Sequence, residues 1–218
     1  MDPKPARSPE VARPEAARKV AEEIPGYTYG TAEAARSPVS LADLELLKKT
    51  VNFTEEDLRY LRMAGEVLAS QTEEVVKKWR GVIAANPHLA QYSLGPEGKP
   101  DAHYSADSGL RFRQWVLDTC FRSYDQDWLN YQQEIALRHT SVKKNTTDQV
   151  ESAAYIPLRY VIAFTAIIND AIKPFLAAKG HSPEEVEKMH RAWCKSVQLQ
   201  IALWSEPYAD SDLAPDQW

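Results

Sequence analysis

Five histidines and two cysteines are the residues of this chain best suited to metal or nucleophilic chemistry. Cys120 and Cys194 each sit in an apolar helical pattern, with no CxxC or paired spacing, so neither a disulfide framework nor a zinc knuckle is expected and a reducing cytoplasm fits. His181 precedes a helix cap, His190 lies among Glu187, Lys188 and Arg191, and His103 stands in a polar stretch; all three read as solvated, and His88, after Pro87, is ambiguous. His139 differs. Behind it at helical spacing lie Ile135, Ala136, Gln132 and Trp128, an apolar face with one imidazole at its end, flanked by Arg138, Lys143 and Lys144. The plain reading is a core histidine satisfied by one backbone hydrogen bond. The sharper one is a metal ligand. Zinc wants three or four close N, S or O ligands, and none are in view. A haem needs one strong protein ligand, a large apolar pocket and cations for two propionates, and the sequence supplies all three. Trp79, Phe112, Trp115, Phe164 and Trp193 sit on apolar faces, as core residues usually do, and some suit the walls around a flat cofactor.

Other chemistry is missing its motif. No GxGxxG or GxxxxGK[ST] offers a phosphate cradle, and CxxCH, GxSxG and HExxH are absent. The acidic pairs Glu22-Glu23, Glu55-Glu56, Glu73-Glu74 and Glu184-Glu185 fall near helix starts, where they complement the dipole.

The elements that must hold His139 read as helices. Ser40 suits an N-cap; Thr54 with Asp57 resembles a capping box; Ser182-Pro183-Glu184-Glu185 combines a cap, a first-position proline and a third-position glutamate. One amphipathic run ends near Asn86-Pro87. Helix is expected over 102–121, with Leu110, Phe112, Trp115, Val116 and Cys120 inward. The next starts at Asp125 or Asp127 and continues through His139. A long one covers 153–178, with Pro174 inside it and Gly180 ending it, and the last runs to Pro207. Loops are expected at 93–101 and 140–149. The result is all-α, with seven or eight unequal helices and no repeats, a pattern suited to oblique globin-like packing rather than a four-helix bundle.

Length and composition exclude much else. The 218 residues are 44% hydrophobic and 26% charged, enough for one sizeable core. Eight glycines are too few for an all-β sandwich, which wants a turn roughly every 8–12 residues. A net charge of −5 argues against a nucleic-acid partner. The longest apolar run, 160–168, is too short for a bilayer, so no membrane span is expected, and the N-terminus has no apolar signal core. Residues 1–23 read as a flexible extension with four prolines and balanced charge, 1–14 loosely held and 15–23 a short frayed helix. The body is 24–208 and the C-terminal tail 209–218. Ile24-Pro25-Gly26-Tyr27-Thr28-Tyr29-Gly30 reads as a strand-like arm that needs a surface to lie on.

From Ile24 to Tyr208 the chain resembles the protoglobins, single-domain globins of the globin-coupled sensor lineage. The resemblance is carried by that arm and by Ala64-Gly-Glu-Val-Leu68, Trp115-Val-Leu-Asp-Thr119, Arg122-Ser-Tyr-Asp-Gln126, Leu137-Arg-His139, Lys143-Lys-Asn145, Lys173-Pro-Phe-Leu176, Ser182-Pro-Glu-Glu-Val-Glu187 and Leu203-Trp204. It implies a globin fold with an additional N-terminal helix and an N-terminal arm, here 24–39, that helps bury haem b. It further implies that His139 ligates the iron, that Trp79 stands on the distal side, that Phe112, Phe164 and Ile168 line the pocket, and that two apolar tunnels admit small ligands. Dioxygen, carbon monoxide and nitric oxide are the implied ligands, and a homodimer through the last two long helices the implied assembly. Three positions depart from the family pattern: Arg80 replaces the usual distal tyrosine, Ser93 replaces a pocket aromatic, and Thr165-Ala166-Ile167 is less aromatic than usual. Together they imply a more open distal side, with Arg80 either pointing inward, where it would stabilise negative charge on bound dioxygen or peroxide, or swung to a propionate or to solvent. The function expected is a gas carrier or sensor. The alternatives are a haem-dependent enzyme of peroxidase-like or group-transfer type, and a haem-free helical signalling module.

Overall fold

The structure, a computed structural model, describes residues 24–209; the sequence readings for 1–23 and 210–218 fall outside the described residues. Eight α-helices make up the body: α1 (Leu41–Thr50), α2 (Glu55–Leu68), α3 (Thr72–Ala85), the short α4 (Pro87–Ala90), α5 (Ala102–Phe121), α6 (Gln126–Leu137), α7 (Leu158–Leu176) and α8 (Pro183–Trp204). Apart from one isolated bridge, Leu94 to Pro100, the described residues contain no β pairing.

Each start has a local cause. Ser40 and Asp43 cap α1 reciprocally, and Ser182 and Glu185 do the same for α8. The Thr54 backbone N–H donates to Asp57 at 2.7 Å, and Asp57 also accepts from Lys195 Nζ at 2.9 Å, so the cap of α2 is tied to α8. Asp101 receives the Tyr104 N–H, and Asp125, one of the two residues expected to start α6, receives the Trp128 N–H. α3 stops at Asn86, whose ψ of 99° is the extended backbone that the following Pro87 requires. Past α7, a short 3₁₀ turn ends at Gly180 with φ +74°.

Helix α8 is the spine. It packs on α2, α7 and α6, while α5 crosses α2 and α3. Trp79, Trp193, Leu61, Leu68, Ile172, Leu176 and Met189 fill the interior. Gly65 lets α2 and α5 meet closely: a Cβ there would sit 2.8 Å from the Cys120 Cβ and press on the Phe121 ring.

The arm does find its surface, though as a series of turns rather than a strand. Tyr27 Oη donates to Asp118 at 2.6 Å, and Arg122 holds both the Tyr27 hydroxyl and Asp118. Farther along, the Ala35 N–H donates to Glu134 and the Ser37 N–H to Asn130. The arm therefore lies across α5 and α6.

Several readings need correction. Leu110 is 38% exposed, because it falls on the side of α5 away from Trp115 and Val116. α6 ends at Leu137, so His139 stands in the turn after it. α7 begins at Leu158, since Pro157 cannot continue a helix backwards. His190 is packed rather than solvated, its Nε2 lying 2.8 Å from the Asn169 carbonyl of α7. α7 with its following turn, Leu158–Lys179, is long and apolar enough to cross a membrane by length and composition, although its uninterrupted apolar run is short. Here it packs against α2, α3 and α8.

Candidate functional site around His139

The turn that carries His139 is fixed at both backbone ends. Its N–H donates to the Ala136 carbonyl at 2.9 Å, and its carbonyl accepts from the Ile156 N–H at 2.8 Å. The ring is fixed too. Nδ1 lies 2.8 Å from the Ile135 carbonyl oxygen. A carbonyl can only accept, so Nδ1 carries the proton and Nε2 the lone pair. Burial pushes the imidazole pKa down, helped by the nearby Lys144 and Arg138 charges and opposed by the Ile135 hydrogen bond. The ring is thereby held neutral, the form that ligates a metal. It stacks on Trp204, whose Nε1–H donates to Gln132 at 2.9 Å.

The three flanking cations have different fates. Arg138 and Lys143 both bond Glu134, at 2.9 and 2.7 Å. Burial alone would raise that carboxyl, but Lys143, Arg138 and the Ala35 N–H together hold it below the ordinary range. Lys144 is buried, and its Nζ donates to Ser152 Oγ at 2.6 Å. Among the described residues no carboxylate pairs with it, and desolvation pulls its pKa down to about 8.

Trp79, on α3, is fully buried, its ring 5.1 Å from Phe112 and 6.0 Å from Trp115, both on α5. Its Nε1–H is buried without a hydrogen-bond acceptor, an arrangement that costs about 1–3 kcal/mol. Trp115 lies 6.0 Å from Trp204, which lies 5.8 Å from His139, so an aromatic wall runs from α3 to the His139 turn. Phe164 and Ile168, one helical turn apart on α7, pack against the same core.

Arg80 points along α5. Its Nη1 donates to the Ser105 carbonyl at 2.6 Å and its Nη2 to Ser108 Oγ at 2.7 Å. The structure thus joins Trp79 to Phe112 directly and links His139 to them through Trp115 and Trp204. Sequence reasoning missed Trp204 as the neighbour of His139, and no local signal was available, because the contact joins the turn after α6 to the end of α8, 65 residues away in the chain.

The protoglobin family model matches residues 40–213. The chain belongs to the protoglobin family. Among solved structures it is similar to the globin domain of a Geobacter sulfurreducens globin-coupled sensor, with a TM-score of 0.58 and 16% identity over 76% of this chain and 97% of that one. It is also similar to the ferric globin domain of E. coli DosC, with a TM-score of 0.56 and 12% identity over 76% and 99% of the two chains. At those identities the likeness is one of fold. No curated protein matches at a significant level. Protoglobin membership implies a haem-binding globin, and the donor set fits that group: a neutral imidazole that carries its lone pair on Nε2, aromatic walls, and a buried ammonium paired with no carboxylate among the described residues.

Proposed function

We propose that this protoglobin holds haem b through His139 Nε2 and reversibly binds diatomic gases, dioxygen, carbon monoxide and nitric oxide, as a carrier or sensor. The observation that supports the reading is the Nδ1–Ile135 bond of 2.8 Å, which leaves the lone pair on Nε2, the tautomer that ligation through Nε2 requires. Haem held there would supply an iron able to take up a small ligand.

The chain's own residues do the rest. Trp79, Phe112, Phe164 and Ile168 offer apolar surface and exclude water. Lys144 would meet a propionate, whose charge offsets the cost of burying the ammonium. A homodimer through α7 and α8 is supported by the outward apolar side of α7, where Ile162 is 40% exposed next to the exposed Ala163. The sensor reading draws further support from one structural neighbour, the Geobacter sulfurreducens domain, which belongs to a globin-coupled sensor.

Absorption spectra of the purified protein, ferric and ferrous, with and without carbon monoxide, test the reading. A Soret band that shifts sharply with carbon monoxide is expected. After haem addition, a spectrum no different from that of free haem would sink it. Sedimentation tests the dimer, and a monomer at micromolar concentration would refute it.

A further inference from the structure

Arg80 has the chemistry of an anion receptor. A guanidinium carries five N–H donors. Its two hydrogen bonds go to neutral oxygens, the Ser105 carbonyl and the Ser108 hydroxyl, and leave three donors for another partner. Among the described residues no carboxylate lies within ion-pair distance. Burial pulls the guanidinium pKa down; Tyr104 opposes this and the neighbouring Arg111 adds to it. A half-buried cation with only neutral partners is costly, and a negative group arriving beside it would offset that cost.

Its position says where such a group would arrive. Arg80 follows Trp79 in the chain, and Ser108 precedes Phe112 by one turn of α5. The Arg80–Ser108 hydrogen bond and the Trp79–Phe112 ring contact are therefore neighbouring bridges across one helix crossing, the first polar and the second aromatic. Gly109 makes room for the polar one: a Cβ there would sit 3.1 Å from Nη1 and 3.4 Å from the central guanidinium carbon. The guanidinium thus lies against the α5 backbone, held at one edge beside the aromatic pair. A planar fork with donors to spare matches a bent oxyanion, which can accept two parallel hydrogen bonds.

We propose that Arg80 makes the distal side of this site a receptor for small oxyanions of the nitrite class in addition to the neutral gases. This rests on the haem reading above and names the ligand class that sets the site apart.

The test compares wild-type and Arg80→Leu protein, full-length and haem-loaded. Ferric protein is titrated with sodium nitrite and ferrous protein with carbon monoxide, each followed by the Soret shift. Nitrite affinity is expected to fall about 10- to 100-fold in the variant, as loss of a charge-assisted hydrogen bond gives, and at least about tenfold further than carbon monoxide affinity. Wild-type nitrite affinity is also expected to weaken with added salt. If Arg80→Leu does not fold, Arg80→Gln keeps a donor toward α5 without the charge and carries the same expectation. Equal losses for the two ligands, or no loss of nitrite affinity, overturn this proposal while leaving the haem reading intact. A wild-type protein that takes up no haem overturns both.

Discussion

The imidazole of His139 lies nearly parallel to the indole of Trp204, with ring centroids 5.8 Å apart and planes 20° apart. The indole is itself fixed by its hydrogen bond to Gln132 on α6. The last turns of α6 and α8 therefore hold the imidazole plane between them. Trp204→Ala should destabilise the protein by about 3–5 kcal/mol, the usual cost of removing a large buried aromatic. Trp204→Phe keeps a ring but leaves Gln132 unpaired and should cost about 1–3 kcal/mol. Urea unfolding checks both, and equal losses would mean that the hydrogen bond, not the ring, carries the effect.

Glu134 ties the arm to the His139 turn, accepting from Arg138, Lys143 and the Ala35 N–H. Its folded pKa lies below the unfolded value, so the unfolded state binds its proton more readily as pH falls. The stabilisation is complete above the ordinary glutamate range, about 4.3–4.5, and is lost as pH drops through the lower folded value. Wild-type urea midpoints should fall across that window. Glu134→Gln should start lower at neutral pH and change less.

Lys144 shifts stability in the same direction with pH, but in an alkaline window and because its ammonium is buried rather than paired. Its folded pKa of about 8 lies below the unfolded lysine value of about 10.4. Between those values the unfolded chain binds the proton more tightly, so stability should rise with pH across the window. Haem-free wild-type protein should show that rise in urea midpoints, and Lys144→Met should flatten it. Haem should also reduce the slope in wild type if a propionate pairs with the ammonium.

Gly65→Ala tests the α2–α5 contact. The added methyl meets Cys120 and Phe121, and overpacking of this kind costs about 1–3 kcal/mol. Thermal unfolding should show a lowered midpoint.

Much of the fold was legible because its signals are local. Ser40, Thr54 with Asp57, Ser182 with Glu185, Pro87 and Gly180 act within a few residues of where they stand, so helix starts and stops could be read from them. The end of α6 could not. Leu137, Arg138 and His139 continue the apolar periodicity, yet the chain turns there so that the imidazole can return to the Ile135 carbonyl. Leu110 shows the same limit: an apolar residue at nearly the right phase falls on the outward side of α5 once its neighbours are fixed. Within the site, Trp79, Phe112 and His139 carry recognisable residue types. The direction of Arg80 depends on two serines a helix away, and the Trp204 contact depends on tertiary packing; neither leaves a trace in local sequence.

The central claim is that His139 Nε2 holds the haem, and a cavity variant tests it most directly. Wild-type and His139→Gly proteins are titrated with haem, and the variant is titrated again with free imidazole. The account predicts tight uptake with a five-coordinate ferrous histidine spectrum in wild type, loss of that spectrum in His139→Gly, and its return when imidazole fills the space. An unchanged spectrum in His139→Gly without imidazole would contradict it.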